Sequence, residues 1–146
     1  MGVFDTVKKV VVMGATGAEL YDLAARTAEP SQTLQTNPGA KGLYLIVYVT
    51  AKSGSPSLVP QLYILPPTAT VGNENPVQVI WMATIPITAS GVYVYLLYPG
   101  AEDWIHLSYP GITEMQSISL PRKWKIGMSH ANSDSITYQV FSEYLF

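Results

Sequence analysis

Residues able to do chemistry are few in this chain, and the first to weigh is a glycine turn. The run Lys9-Val10-Val11-Val12-Met13-Gly14-Ala15-Thr16-Gly17-Ala18-Glu19-Leu20 has the form of a strand leading into a glycine-rich turn, the arrangement that holds a pyrophosphate at a helix N-terminus. Leu20 stands where a third glycine would let helix and strand pack closely, and Pro30 interrupts the helical candidate that follows. No second strand-helix-strand unit succeeds it, as a dinucleotide fold requires. The run therefore reads as a strand or arm ending in a flexible turn, and no cofactor is expected.

His106 and His130 are the only histidines, which limits a metal site to two imidazoles. Asp103 and Glu102 precede His106 at helical spacing, but Pro99 and Pro110 leave little room for a helix there. Asn132 and Asp134 after His130 suit a turn, since both side chains bond their own backbone in tight loops. Ser129 adjoins His130, yet neighbours on a strand point to opposite faces and cannot form a nucleophile and base pair. No G-x-S-x-G elbow occurs, and Glu102, Asp103 and Glu114 are carboxylates that nothing in the sequence brings together. Without cysteine there is no disulfide, thiolate metal site or cysteine nucleophile. The expectation is a non-enzyme with neither catalytic nor metal site.

Aromatic residues are the compositional peculiarity, with 10 Tyr and 3 Trp against 3 Phe. Tyr93, Tyr95, Tyr98, Trp104 and Tyr109 crowd one region, with Trp81 shortly before it. Strand alternation must bury one face, so about half of these rings are expected in the core and its rim. The remainder suit a subunit interface or a sugar-stacking platform, because each ring joins a large apolar body to one polar handle. The interface candidates are these six aromatics together with the apolar run Val10, Val11, Val12 and Met13.

These residues must be positioned by one domain, since 146 residues suffice for a single core but not for two. Charged residues make up only 12% of the chain, about half the usual share. A surface so poor in charge favours burial against neighbouring subunits. A net charge of −2 supplies no basic field for nucleic acid. The uncharged stretch between Glu74 and Glu102 is interrupted by Pro76, Pro86 and Pro99 and carries Gln78, Thr84, Thr88 and Ser90. A membrane helix would not tolerate that pattern, so a soluble protein is expected. Lys8 and Lys9 precede only four apolar residues before Glu19 and Asp22, which is not a secretory signal.

Hydrophobic patterning predicts strands over 43–50, 58–65, 77–85, 91–98, 122–130 and 136–144, separated by Pro, Gly and Ser clusters. Pro60 argues for an edge position or a bulge in the second of these. In the last two, Trp124, Ile126 and Met128 face Ile136, Tyr138 and Val140, and Asn132, Ser133 and Asp134 suggest a hairpin between them. Leu20, Leu23 and Ala24 would share one face of a short helix over 18–28. The sum is an all-β chain: a single antiparallel β-sandwich, jelly-roll-like or Ig-like, over residues 18–146 with an N-terminal arm of residues 1–17.

Several segments resemble small β-sandwich virion structural proteins of tailed bacteriophages. The resemblance is carried by Ala24-Ala25-Arg26-Thr27, Asn37-Pro38-Gly39-Ala40-Lys41-Gly42-Leu43, Val47-Tyr48-Val49-Thr50-Ala51 and Ser53-Gly54-Ser55-Pro56-Ser57-Leu58. Further on it takes in Gly91-Val92-Tyr93, Tyr98-Pro99-Gly100, Leu120-Pro121-Arg122-Lys123-Trp124 and Ser133-Asp134-Ser135-Ile136-Thr137-Tyr138. It covers most of the chain from Ala24 onward; the sequence departs from the group in residues 1–17, which do not align with it, and in the aromatic richness of 77–98. The resemblance implies an early strand rather than a helix at residues 24–27. It also implies a decoration or cement protein on the phage head surface, binding the major capsid protein and itself as a homo-oligomer such as a trimer. A tail or fibre-associated glycan-binding module is the alternative.

Overall fold

The computed structural model describes residues 17–101 and 111–146, and the backbone alone at 104–105. The interface candidates Val10, Val11, Val12, Met13 and Tyr109 lie outside the described residues, as do Glu102, Asp103 and His106. The strands in chain order are β1 (Gly17–Arg26), β2 (Gln35–Thr36), β3 (Gly42–Lys52), β4 (Leu58–Leu65) and β5 (Gln78–Met82). They continue with β6 (Gly91–Leu97), β7 (Trp104–Ile105), β8 (Glu114–Gln116), β9 (Lys123–His130) and β10 (Ile136–Leu145). Among the described residues there is no helix, and so none long and apolar enough to cross a membrane.

Two sheets face each other as an all-β sandwich. The larger has the order β1-β10-β3-β6-β8-β7 and the smaller β2-β9-β4-β5. Every strand pairing is antiparallel except that of β6 with β8. Period-two patterning explains the packing. On β3, Leu43, Leu45, Val47 and Val49 are buried while Tyr44, Ile46 and Tyr48 alternate with them on the other side. The inner face of β4 supplies Leu58 and Leu62, and that of β9 supplies Trp124, Ile126 and Met128. These residues share one core cluster with Ile136, Tyr138 and Val140, as the alternation predicted. Each fully buried aliphatic or aromatic side chain contributes about 1.5–3 kcal/mol by leaving water.

Four expectations are corrected. Strands β9 and β10 do not form a hairpin: they belong to different sheets, and residues 131–135 carry the chain from one to the other. Both strands pattern as half-buried, and such faces pack across a sandwich as readily as side by side. Pro60 is not at a sheet edge, because β4 pairs with β9 and β5 on its two sides, although the β4–β5 ladder does carry a register shift between Leu62 and Tyr63. Its carbonyl accepts from the Ala83 amide at 3.0 Å, so its nitrogen points past the end of β5, where the ladder needs no donor. Residues 17–26 form strand β1 where a helix had been one reading, and β1 starts at Gly17 inside the segment assigned to the arm. The third predicted strand is shorter than 77–85, ending at Met82 because residues 83–87 turn to follow the end of β4. The short strands β2, β7 and β8 carry no sequence pattern of their own.

At the start of β3, Gly42 is required by close approach. A Cβ there would lie 2.3 Å from the Leu97 carbonyl oxygen and 2.7 Å from the Tyr98 ring. Nearby, the buried Asn37 side chain accepts from the amides of Gly39 and Ala40 and donates to the carbonyls of Ala40 and Leu120. That closes the loop leading into β3.

Candidate functional site

Polar chemistry gathers in two places. The first lies where β1, β10 and β9 meet. Alternation on β1 sends Tyr21 inward, and its hydroxyl crosses the sandwich to donate to the Ile126 carbonyl at 2.5 Å. Arg26 ends the same strand with its guanidinium 4.7 Å from the Tyr138 ring centre and 5.7 Å from that of Tyr21. It donates to the Tyr138 carbonyl at 2.9 Å and the Asp22 carbonyl at 2.8 Å, and meets the Asp22 carboxylate at 3.0 Å. The Tyr138 hydroxyl lies 2.9 Å from His130 Nε2.

Burial dominates the electrostatics of this cluster. It pushes the Tyr21 hydroxyl up to about 12, with Glu29 adding to the rise and Arg26 opposing it. Burial also raises Tyr138 well above its ordinary value, again against Arg26. Both phenols stay protonated at neutral pH, and that of Tyr21 serves as a donor. His130 is lowered, chiefly by burial, with Glu29 opposing and Arg26 assisting. The His130–Tyr138 hydrogen bond, with those of Tyr21 and Arg26, ties β1, β9 and β10 together.

Beside it, residues 29–32 lie against the outer side of β9. A Cβ on Gly127 would come within 2.7 Å of the Tyr63 ring, 2.8 Å of Gln32 Nε2 and 2.9 Å of Glu29 Oε1. Glycine alone lets the connection lie this close. Lys125 faces the same side, 2.9 Å from the Glu74 carboxylate and 5.9 Å from the Tyr63 ring centre. Gln32 donates to Glu29 at 2.9 Å. Glu29, Pro30, Ser31, Gln32, Glu74 and Lys125 line a shallow, open depression. It is a set of mutually satisfied polar groups around one ion pair.

The second cluster surrounds Glu114, a carboxylate only 2% exposed. It accepts from the Trp81 indole at 3.1 Å and from the Thr84 amide at 2.9 Å. Glu114 belongs to β8 of the large sheet and Trp81 to β5 of the small one, so the carboxylate staples the two sheets. Trp81 packs edge-on against Tyr95, with ring centres 5.3 Å apart. The Tyr95 hydroxyl is raised by burial first and by Glu114 second, and among the described residues it has no hydrogen-bond partner.

Two interface candidates are thereby corrected: Trp81 and Tyr95 are 4% and 1% exposed and belong to the core. Their registers, Trp81 opposite Leu62 and Tyr95 opposite Leu45, place them on inner faces. Tyr93 is partly buried against the same core and donates to the Ala89 carbonyl at 2.7 Å. Tyr98 is partly buried beside Gly42, and of Trp104 only the strand backbone is described. Sequence reading missed the anchoring roles of Glu114, Arg26 and Asn37. A lone acid inside an apolar stretch is a signal that a buried partner exists, but it does not say which one. Among the described residues no three His, Cys, Asp or Glu side chains converge on a point that could hold a metal ion. Comparison of the chain with family models, with curated proteins and with solved structures finds no match in any of the three.

Proposed function

We propose that the protein is a virion structural protein of a tailed phage, a capsid decoration or cement protein that binds the major capsid protein and stabilises the head. The observation that carries this reading is the exposed apolar side chains on the edge strand β5 and its flanks. Met82 on β5 is 52% exposed, and Val71, Val77 and Ile85 on either side of it are 38–87% exposed. An edge strand bearing apolar side chains invites a protein partner, through strand addition or through burial of the patch. The low charge and the resemblance to phage head proteins point the same way. Attachment needs no chemistry, and the polar clusters supply none: their groups are engaged in tying strands. Among the described residues every Tyr and Trp is at least partly buried, so none of these rings favours the glycan-binding alternative.

The test is co-sedimentation of the purified protein with heads of the virus that encodes it. Saturable binding is expected, lost when Met82→Asp places a charge on the β5 edge without altering the fold. Heads that fail to bind the unaltered protein would overturn the proposal.

A further inference from the structure

Among the described residues the two sheets end in four edge strands, and three of them are guarded. Strand β1 carries Glu19, Asp22 and Arg26 and is broken by two register shifts. Strands β2 and β7 are two residues long each. Charge, bulges and shortness are the ordinary means of keeping an edge strand from pairing with another chain. The fourth edge, β5, runs five residues, from Gln78 to Met82, with no charge and no proline. One extra residue at Ile80, between the pairs Leu62 with Trp81 and Tyr63 with Val79, is the only shift in its ladder with β4.

The free side of β5 offers hydrogen bonds to a further strand. The Ala83 amide donates to the Pro60 carbonyl at 3.0 Å, and successive amides of a strand point to opposite sides, so the Met82 amide turns away from β4. Among the described residues no strand pairs there. Met82 is 52% exposed, and Val77 and Ile85, beyond the two ends of the strand, are each 38% exposed. Charge selects the partner. In an antiparallel two-fold pair, residue i meets residue j and j meets i, so a charged strand meets its own charge. From Asn75 to Ala101 the chain has no charged side chain, so β5 can meet its own copy without repulsion. The same pairing made by β1, with Asp22 at its middle, could not.

We propose that β5 of one copy pairs antiparallel with β5 of a second copy, about a two-fold axis near Ile80, so that the small sheet runs on from one copy into the other. Main-chain hydrogen bonds supply the attraction, as in other strand additions. Trp81 faces the core, which places Met82 on the outer face of the sheet. Pairing leaves that side chain where it is and sets two copies of it side by side. Self-pairing therefore does not rest on the capsid reading, because the paired strands still present Met82 outward.

Sedimentation equilibrium of the full chain, with no phage heads present, should show a reversible dimer over the micromolar range. Gln78 and Met82 are exposed positions that face each other across the axis. Gln78→Lys with Met82→Lys should therefore stay folded yet self-associate about tenfold more weakly, since like charges then oppose each other. Gln78→Glu with Met82→Glu should do the same, and an equal mixture of the two double variants should recover the dimer. Should either double variant not fold, Met82→Pro removes the free amide at a position where an edge strand tolerates proline, and it too should weaken the dimer. An unaltered protein that stays monomeric would overturn the proposal. So would variants that dimerise as tightly as the unaltered protein, because another surface would then be in use. Weakening of both double variants with no recovery in the mixture would overturn it as well, by showing that β5 docks on something other than β5. Loss of head binding with the dimer intact would count against the capsid reading alone.

Discussion

The outer faces of the two sheets are built on opposite plans. On the small sheet Lys125 pairs with Glu74, the Tyr63 hydroxyl donates to Gln61, and Gln32 donates to Glu29 over Gly127. On the large sheet the corresponding positions are Ile46, Val94 and Phe141. A polar face satisfies itself and is finished when the sheet forms. The apolar face is instead unevenly exposed, Phe141 being fully buried while Val92 is 53% exposed. The contrast teaches that two sheets of one sandwich can carry outer faces of opposite chemistry, one closed by its own hydrogen bonds and ion pair and the other left apolar.

The largest expected effects come from residues that the comparison treats as interior. Trp124→Ala, between the sheets, should cost about 3–5 kcal/mol in chemical unfolding. Phe141→Ala should fall in the same range if the outer face is covered, and below about 1 kcal/mol if Phe141 behaves as a surface residue. Equal losses at the two sites would sharpen the contrast, and a negligible loss at Phe141 would break it.

Next is the staple at the edge of the two sheets. Glu114→Ala leaves the Trp81 indole and the Thr84 amide without their acceptor, which should cost about 1–3 kcal/mol. A Trp81 fluorescence unchanged in wavelength, together with unchanged stability, would show that the carboxylate is dispensable.

A smaller effect is tied to pH. His130 is held below its ordinary value of 6.5 in the folded protein, so the unfolded chain binds its proton first. The contribution of neutral His130 is therefore intact above pH 6.5 and is lost as pH falls from there through the lower folded value, at a slope of at most about 1.4 kcal/mol per pH unit. His130→Gln should flatten the stability profile in that window. Profiles that remain parallel between pH 7 and pH 4 would remove the burial argument for this histidine.

Smallest of all should be the ion pair on the finished face. Lys125→Met should change stability by less than about 1 kcal/mol, with the difference shrinking in concentrated salt. A loss comparable to that of Trp124→Ala would mean that the small sheet's outer face is a core too.

Much of this fold was legible before any coordinates. Strand β4 matches its predicted range, and β3, β6, β9 and β10 differ from theirs by a residue or two at their ends. The inner face of β9 is the one that alternation indicated. These are local signals, because a side-chain period of two is written in neighbouring residues. Strands β2, β7 and β8 were not legible, being two or three residues long and dependent on the neighbours that pair with them. The candidate site was legible only in its ingredients. Glu114, Trp81 and Tyr95 were each singled out, but their meeting across two sheets was not foreseen.

By itself the sequence determined that the chain is all-β, which side of each long strand is apolar, and that no disulfide or thiolate is available to it. Only the tertiary structure decided that β9 and β10 part to different sheets and that Pro60 sits inside one of them. It alone decided that Trp81 and Tyr95 are core, and that Phe141 is buried on the side away from the other sheet. The physical reason is that strand character follows from contacts between residues near in sequence. Which apolar face meets which depends instead on pairings between strands as far apart as β1 and β10, and nothing local to either strand encodes them.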